Sequence, residues 1–298
     1  MRILVTGASG FIGYNLMPEL LKEGHEVVAF SRKNINNPNV ECYKGDILNQ
    51  DDLSEAMKGC DAVVNLAAVN GYEQINNNRI IAFNTCIAGT LNLINAFNAN
   101  ELKTLVFASS SRVYGNHTQD YLSESLKVKP SSYMAKLKWQ AEQLLSLYQK
   151  EISSKDKRIV VLRIFNTYGP GQREGFLIPK IFSHIKSGSI RLGNVNIKRD
   201  YIYVDDVASS IATVLKKAQN GFSCYNVGSG ISTSVSELIN IVNHITGKNL
   251  NLEIDSDQFR NEETGNERAD ITQLRELGWE PLVSLESGLR KAWEESFR

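Results

Sequence analysis

The stretch Leu4-Val5-Thr6-Gly7-Ala8-Ser9-Gly10-Phe11-Ile12-Gly13 decides the fold of this 298-residue chain. An apolar run that begins after Arg2 leads into it and predicts a buried strand, because short continuous apolar runs are typical of strands covered on both faces. The residues from Phe11 to Glu23 place apolar side chains at helical spacing. The three glycines therefore lie on a turn between a strand and a helix.

Each glycine of this turn has a physical role. Gly7 permits the tight turn, Gly10 lets the backbone approach a pyrophosphate, and Gly13 lets the helix pack closely on the sheet. The free N–H groups at the helix start would then face the phosphates. The spacing is Gly-x-x-Gly-x-x-Gly rather than Gly-x-Gly-x-x-Gly, but its place between a strand and a helix supports a ligand. We predict a dinucleotide site that includes Gly7, Gly10, Phe11, Ile12 and Gly13.

Composition bounds the class of protein. The chain has 42% hydrophobic and 22% charged residues, which is ordinary for a soluble globular protein. Its 33 Lys and Arg balance its 33 Asp and Glu, so no basic field favours nucleic acid or an anionic membrane. We expect no membrane span, since no apolar run approaches about 18 residues, and no signal peptide, since the first strand begins at residue 2. The four cysteines and four histidines are scattered, so we expect no metal site and a cytoplasmic protein with reduced thiols.

Strands and helices alternate through the first two-thirds of the chain. Further strands are predicted at Glu26 to Phe30, Ala62 to Leu66, Thr104 to Ser109 and Ile159 to Ile164, and long helices at Ile80 to Asn98 and Ser132 to Lys150. This alternation predicts a parallel sheet with helices on both faces. Ligands of such a sheet bind at the carboxyl ends of its strands.

The regular alternation of strands and helices ends after about residue 165, where Gly169-Pro170-Gly171 interrupts the secondary structure. The later predicted helices are Phe176 to Lys186, Val207 to Lys217 and Val235 to Thr246. We predict a dinucleotide-binding domain over residues 1–165, with part of 196–225 returning to it. Residues 166–195 and 226–298 would form a substrate-binding lobe. The fold class is α/β, a Rossmann-like doubly wound parallel sheet with a smaller C-terminal α/β lobe.

Several phrases, in order, resemble the extended short-chain dehydrogenase/reductase family of nucleotide-sugar epimerases, dehydratases and reductases. They are Thr6 to Gly13, Gly45-Asp46-Ile47, Asn65-Leu66-Ala67-Ala68, Asn84 with Gly89-Thr90, Phe107 to Gly115, Arg163 to Gly171, Arg199 to Val207 and Tyr225 to Gly230. The resemblance runs from Arg2 to about Trp279. It implies NAD or NADP as cofactor, a nucleoside-diphosphate sugar as substrate, and a homodimer formed through the two long helices.

The resemblance also assigns residues to a cofactor site and a substrate site. Asp46 is similar to the acid near the adenine, and Ser110, by its distance to Gly115, matches the serine that hydrogen-bonds the sugar. Two arginines would hold the diphosphate, because a planar guanidinium pairs with phosphate oxygens. Beyond the glycine turn, the implied cofactor residues are Ser31, Arg32, Asp46, Ile47, Leu66, Ala67, Ala68, Asn84 and Lys138. The implied substrate residues are Ser110, Ser111, Asn166, Arg199 and Arg260.

The family's Tyr-x-x-x-Lys pair is absent in its usual register. In that pair the ammonium and the nicotinamide favour phenolate, which lowers the pKa of the tyrosine so that it can exchange protons with the sugar. Here the residue four positions after Tyr133 is Leu137. The family's spacing to the preceding proline and the following glutamate aligns Lys138 with the lysine and Met134 with the tyrosine. A thioether cannot exchange a proton.

Three interpretations of this departure stay open. In the first, Met134 replaces the tyrosine and another group handles the proton; one group of sugar-nucleotide dehydratases in the family is similar in having Met-x-x-x-Lys. In the second, a helix bulge lets Tyr133 reach the site with Lys138 or Lys136. In the third, the protein binds a nucleotide sugar without turning it over. The candidate catalytic residues are therefore Ser110, Lys138, Tyr133 and Met134.

A second departure lies at the end of the second strand. An acid there would bind the adenosine ribose and favour NAD. Ser31 stands in its place and is followed by Arg32 and Lys33. A hydroxyl with cations can accommodate a 2′-phosphate, which favours NADP, whereas stacking of Arg32 on adenine would let both cofactors fit.

Three reactions suit these residues. A UDP-glucose 4-epimerase-like enzyme would oxidise the sugar to a 4-keto intermediate and return the hydride to its other face, whereas a reductase would consume NADPH on a 4-keto-6-deoxy sugar. A 4,6-dehydratase of this family usually carries Asp-Glu where Ser111-Arg112 stands. The phrases Ser109 to Gly115 and Arg199 to Val207 look most like epimerases, whereas Ser31-Arg32 looks more like the reductases. We predict the epimerase type, with the reductase as the alternative.

Overall fold

A seven-stranded sheet forms the centre of the computed structural model, which describes residues 1–69, 71, 75, 77–117, 119, 121–151, 156–255, 257 and 266–295. The strands are β1 Arg2–Thr6, β2 Glu26–Ser31, β3 Glu41–Lys44, β4 Ala62–Asn65, β5 Thr104–Ser110, β6 Arg158–Ile164, β7 Asn166–Tyr168, β8 Ser189–Leu192, β9 Lys198–Tyr203, β10 Gly221–Val227, β11 Ser232–Ser234 and β12 Asn251–Ile254. The large sheet has the order β10-β6-β5-β4-β1-β2-β3, and every pairing in it is parallel.

Helices cover both faces of the large sheet and also complete a smaller set of elements beside it. They are α1 Phe11–Lys22, α2 Gln50–Ala56, α3 Arg79–Phe83, α4 Gly89–Ala99, α5 Tyr133–Glu151, α6 Leu177–His184, α7 Val204–Lys217, α8 Val235–Thr246, α9 Thr272–Glu276 and α10 Leu285–Glu295. A π turn, Asn84–Ala88, joins α3 to α4, and a 3₁₀ turn, Ser111–Tyr114, follows β5.

The alternation of side chains along β1 shows how the layers form. Ile3 and Val5 are buried with α1 and α7 on one face, whereas Leu4 is buried with α2, α4 and α5 on the other. Successive residues of a strand point to opposite faces, so a strand covered by helices on both sides must be apolar throughout. This arrangement confirms the predicted doubly wound α/β fold.

The chain reverses direction across the sheet at β1. It first builds β2 and β3 on one side and then crosses to β4 on the other, where Thr6 pairs with Asn65. A crevice opens at such a switch point because the connections leave in opposite directions. The glycine turn follows β1 directly, so it lies at this crevice.

A smaller set of elements packs beside the large sheet. Strands β7, β9 and β11 form one sheet, and β8 pairs with β12. With α6, α8 and α10 they enclose a separate apolar cluster that includes Tyr168, Phe182, Leu238 and Leu289. Helix α7 packs on the large sheet, and β10 pairs with β6 as one of its strands. The boundaries given above for the two lobes stay a prediction.

The helical run Arg79–Ala99 is long and apolar enough to cross a membrane by length and composition alone, with a mean hydropathy of 1.5 over its most apolar 18 residues. Nevertheless, 44% of those 18 residues are buried inside the protein, and Leu93 and Phe97 belong to the core. A core helix passes the same test, so this run is weak evidence for a membrane. Its outer side exposes Ile80, Ile81 and Leu91.

Candidate active site

The glycine turn has the geometry that a dinucleotide needs. Gly7 has φ +67°, and a Cβ there would lie 2.8 Å from both the carbonyl carbon of Leu66 and the nitrogen of Ala67. A Cβ on Gly13 would lie 2.5 Å from the Gly7 oxygen, so the first helical turn packs on the glycine turn itself. Gly10 is exposed, and among the described residues a Cβ there would meet only the Gly7 oxygen within 4 Å. Its open side fits the close approach of a pyrophosphate.

Buried polar groups at the ends of β1 and β4 fix the floor of the crevice. Thr6 Oγ1 donates to Asn65 Oδ1 at 2.6 Å, and the Ala67 nitrogen donates to the same oxygen at 3.2 Å. These bonds hold the backbone of Leu66 and Ala67 against Gly7. The half-buried segment Leu66 to Ala68 therefore lines the crevice beside the glycine turn, where the resemblance expects the nicotinamide side.

The other predicted cofactor residues follow the carboxyl ends of neighbouring strands. Ser31 ends β2, and its hydroxyl lies 2.7 Å from Ser9 Oγ and accepts from the Lys33 nitrogen at 3.1 Å. Arg32 is exposed beside it. Past β3, Asp46 Oδ1 accepts from the Leu48 nitrogen at 3.0 Å.

Two further cofactor candidates, Ile47 and Asn84, lie on the side of the sheet covered by α4. Ile47 is buried, and its Cγ2 lies 3.0 Å from the position a Cβ on Gly89 would occupy. Asn84 begins the π turn and is half-buried. A π turn inserts an extra residue and often occurs at a functional site.

Lys138 is buried beneath the end of β5. Its Nζ donates to the Ala108 carbonyl at 2.6 Å and lies 4.7 Å from the centre of the Phe107 ring. Burial lowers the pKa of Lys138 from its ordinary value of 10.5, and Cys86 and Glu142 act in the opposite direction. The lysine thus reaches the strand that ends at Ser110.

A second buried contact fastens the same helix one turn later. Glu142 accepts a hydrogen bond from Ser109 Oγ on β5 and forms an ion pair with Arg163 on β6, whose Nη2 lies 2.8 Å from Glu142 Oε2. A buried carboxylate needs such a partner, because an isolated charge is costly to bury. This contact holds α5 in the register that brings Lys138 to Ala108.

Tyr133 and Met134 begin α5, which is a regular α-helix from Tyr133 to Glu151 without a bulge. The Tyr133 hydroxyl donates to the Arg79 carbonyl at 3.3 Å, and the Arg79 guanidinium lies 5.3 Å from the centre of its ring. Met134 is half-buried one turn before Lys138, whereas Lys136 is exposed. These contacts favour the interpretation in which Met134 takes the place of the tyrosine, and the choice among the three stays a prediction.

Ser110 ends β5 and caps the 3₁₀ turn, since its hydroxyl accepts from the Arg112 nitrogen at 3.2 Å. Ser110 is half-buried and Ser111 is buried. The turn directs the chain away from the sheet immediately after Ser110. As a result, Ser110, Ser111 and the start of the Arg112 side chain lie at the carboxyl end of β5.

Asn166 and Arg199 meet at a carboxylate that sequence reasoning missed. Asn166 Nδ2 donates to Glu267 Oε2 at 3.3 Å, and Arg199 Nε lies 3.7 Å from the same oxygen. Arg112 Nη1 lies 3.1 Å from Glu267 Oε1, and its Nη2 donates to Asn166 Oδ1 at 3.4 Å. The structure therefore brings two predicted substrate residues together. Arg260 lies outside the described residues.

Asp200 positions the segment that carries Glu267. Its buried carboxylate accepts from Ser229 N and Oγ at 2.7 Å, from Gly230 N at 2.9 Å and from Ala269 N at 3.0 Å. Burial raises the pKa of Asp200, while these donors act to lower it. The contacts link β9 to two distant parts of the chain beside Arg199. In the part of the chain that the structure describes, no group of three His, Cys, Asp or Glu could hold a metal ion.

The sequence profile of the NAD dependent epimerase/dehydratase family matches residues 3–228. The chain belongs to this family. A UDP-glucuronate 4-epimerase of Thermodesulfobacterium geofontis is 32% identical over 97% of this chain and 94% of its own. A Bacillus subtilis member described as an uncharacterized UDP-glucose epimerase, YtcB, is 30% identical over 97% of this chain and 96% of its own.

Solved structures of similar proteins share the whole architecture of this chain. MoeE5 in complex with UDP-glucuronic acid and NAD superposes with a TM-score of 0.92, at 27% identity over 100% of this chain and 99% of its own. MoeE5 was also solved with UDP-glucose and NAD, with a TM-score of 0.90. The described glycine turn of the present family member fits the same class of cofactor, a nicotinamide dinucleotide.

Proposed function

We propose that this family member is a nucleotide-sugar 4-epimerase that uses NAD(P) and acts through a 4-keto hexose intermediate. One observation carries the proposal: the buried Lys138 donates to the Ala108 carbonyl, two residues before Ser110. A cation and a hydroxyl thus share the end of β5, next to the crevice of the glycine turn. The similarity to 4-epimerases across nearly the whole chain supports the same reaction.

The bound nicotinamide would supply the chemistry of accepting a hydride from the sugar and returning it. The residues of this chain would orient the sugar and manage the proton. Ser110 would hydrogen-bond the reacting hydroxyl, and the Lys138 ammonium would favour its deprotonated form, because a nearby cation stabilises an anion. Since Met134 cannot take the proton, the proton would leave through Ser110 or water.

The substrate would be a nucleoside-diphosphate hexose. Arg199, which is buried beside Asn166, would bind a phosphate oxygen of the diphosphate, and Asn166 would hydrogen-bond the sugar. Relatives described as acting on UDP-sugars support uridine as the base. Arg260 would be the second arginine on the diphosphate.

For the cofactor we propose NADP, with NAD as the alternative. The support is that β2 ends in Ser31 rather than in a carboxylate, with the exposed Arg32 next along the chain. A carboxylate would repel a 2′-phosphate, whereas a guanidinium can pair with it. The solved relative MoeE5 binds NAD, which supports the alternative.

The same observation favours a second candidate function, reduction of a 4-keto-6-deoxy nucleotide sugar with NADPH. A reductase releases its oxidised cofactor after each turnover, whereas an epimerase restores the cofactor in place. The deciding experiment is to denature the purified protein and identify any released nucleotide by mass spectrometry. Retained NAD or NADP would support the epimerase.

An empty protein that binds NADPH reversibly and reduces a 4-keto sugar would support the reductase and overturn the epimerase. A panel of UDP-, GDP-, dTDP- and CDP-sugars completes the test. Tight binding without turnover on every member would instead indicate a protein that has lost its chemistry.

We also propose a homodimer formed through α3, α4 and α5. Their outer surfaces expose five large apolar side chains, Ile80, Ile81, Phe83, Leu91 and Leu147. Exposed large apolar side chains on neighbouring helices support an interface with a second copy of the chain. Light scattering of the purified protein tests the proposal. The four cysteines are free, which supports the further proposal of a cytoplasmic location.

A further inference from the structure

We propose that the Arg112–Glu267 ion pair makes this site select a neutral sugar over a uronate, a sugar that carries its own carboxylate. The inference deepens the proposed function and rests on it. It assigns a role to two residues that the family resemblance leaves without one. Arg112 stands where a family dehydratase carries an acid, and Glu267 faces it from a segment far along the chain.

The Arg112–Glu267 pair lies where three elements of the fold meet. Glu267 touches the 3₁₀ turn through Arg112, β7 through Asn166 and β9 through Arg199. Its side chain is only 12% exposed. Because the Arg112 guanidinium also donates to Asn166 and its backbone nitrogen donates to the Ser110 hydroxyl, the pair lies between the two residues proposed to bind the sugar.

Backbone hydrogen bonds hold the segment that carries Glu267 in place. The Glu267 nitrogen donates to the Lys198 carbonyl at 3.1 Å, and two residues later the Ala269 nitrogen donates to Asp200. These backbone bonds on either side anchor the segment to β9. The Glu267 carboxylate itself is held by Arg112, Asn166 and Arg199, so a ligand that binds beside these residues meets its charge.

The Glu267 carboxylate contacts two arginines at different distances. The shorter contact of Glu267 is with Arg112, at 3.1 Å, and the contact with Arg199 is longer, at 3.7 Å. Glu267 therefore neutralises mainly the charge of Arg112, next to the residues proposed to bind the sugar. A diphosphate would pair with Arg199, whose guanidinium also donates to the Lys198 carbonyl. The closer pair of Arg112 and Glu267 thus presents no net charge to a sugar bound beside Ser110 and Asn166.

The consequence concerns substrates that differ by one carboxylate. The hydroxyls of a neutral hexose can accept from Arg112 or Asn166 without disturbing the pair. A uronate would place a second carboxylate near Glu267 in a partly buried site, where like charges repel strongly. Specificity often arises from such a repulsive contact. MoeE5, with the same fold, was solved with UDP-glucose and with UDP-glucuronic acid, so side chains rather than the fold set this choice.

The test measures binding rather than turnover. Isothermal titration calorimetry of the full-length protein gives the Kd of UDP-glucose, UDP-glucuronate and UDP for the wild type, Glu267→Gln and Arg112→Gln. The wild type should bind UDP-glucose at least about tenfold more tightly than UDP-glucuronate, which corresponds to about 1.4 kcal/mol. Glu267→Gln should reduce this ratio by about tenfold, mainly through tighter UDP-glucuronate. Arg112→Gln should increase the ratio.

A matched control is Glu253→Gln, which breaks an exposed ion pair with Arg191 away from the site. It should leave the ratio unchanged. Equal affinity of the wild type for both sugars, or an unchanged ratio in a folded Glu267→Gln, would overturn this inference and leave the epimerase standing. If Glu267→Gln does not fold, the wild-type ratio and Arg112→Gln decide in the same way. Failure of the wild type to bind either sugar would instead overturn the proposed function.

Discussion

The ammonium of Lys138 donates to the carbonyl of Ala108, and this bond fixes the lysine on the strand that ends at Ser110. Lys138 lies on α5 and Ala108 on β5, so the bond joins a helix to the central sheet. It defines where a positive charge is available to a bound sugar or cofactor.

Replacing that charge should abolish turnover. Lys138→Met keeps an unbranched apolar chain of similar length but removes the ammonium, and we expect kcat to fall by at least about 100-fold, the usual scale for a proton-managing group. Lys136→Met is the matched control, because Lys136 is exposed on the same helix. Steady-state kinetics of both variants check this, and an equal loss in the two would argue against the role of Lys138.

The buried state of Lys138 also predicts a pH dependence. Below its pKa the lysine is charged and active, and burial lowers that pKa from 10.5. Activity should therefore fall as the pH rises through a value below 10.5. The unfolded chain keeps the ordinary pKa, so between the two values the unfolded state binds more protons and this residue makes the fold more stable as pH rises. In a profile of kcat against pH, Lys138→Arg should move the alkaline limb upward, and an unmoved limb would contradict the assignment.

The roles of Tyr133 and Met134 can be separated by two substitutions. The Tyr133 hydroxyl is bonded to the Arg79 carbonyl, so Tyr133→Phe should leave kcat within about twofold and cost only about 1 kcal/mol of stability. Met134→Tyr would restore a proton-exchanging group one turn before Lys138 and should raise kcat. A large loss in Tyr133→Phe would instead support the interpretation in which Tyr133 acts in the site.

The glycine turn offers a pair of substitutions that differ only in crowding. Gly7 and Gly24 both have positive φ, +67° and +77°, but a Cβ on Gly24 would have no atom within 4 Å in the part of the chain that the structure describes. Gly24→Ala should cost about 1 kcal/mol of conformational strain. Gly7→Ala should cost about 1–3 kcal/mol more, because its methyl would overpack against Leu66 and Ala67. Urea denaturation measures the difference, and similar losses would show that the crevice is looser than described.

Cofactor choice should depend on Arg32. If its exposed guanidinium pairs with a 2′-phosphate, Arg32→Ala should weaken NADP about tenfold more than NAD, since a charge-assisted pair contributes about 1.5–3 kcal/mol. Fluorescence titration of the protein freed of cofactor gives both Kd values. Equal losses would mean that Arg32 stacks on adenine and leaves the choice to other residues.

The strands that were predicted share a property that β3 lacks. The predicted strands of the large sheet are buried, so each is a nearly continuous apolar run that can be recognised locally. Strand β3, Glu41–Lys44, lies at the edge of the sheet and is mostly exposed, with two charged residues among its four. Its sequence carries no periodic signal, because only pairing with β2 makes it a strand. The π turn at Asn84–Ala88 was missed for a similar reason.

Glu267 shows what single-sequence reasoning could not reach in the site. Asn166, Arg199 and Lys138 were found through short phrases that resemble a family. Glu267 acquires its role only when the chain closes on itself, 101 residues from Asn166 and 155 from Arg112. No local pattern marks such a residue, and burial of a carboxylate among cations is visible only in three dimensions.

The convergence on Asp200 has a consequence for synthesis of the protein. The glycine turn, β2 and β4 emerge early from the ribosome, and domains tend to form from the N-terminal side as they emerge. Asp200 and its partners Ser229, Gly230 and Ala269 come much later along the chain. Asp200 therefore ties together segments that are synthesised far apart, so the side of the crevice that carries Asn166 and Arg199 can be complete only after the last of them has left the ribosome.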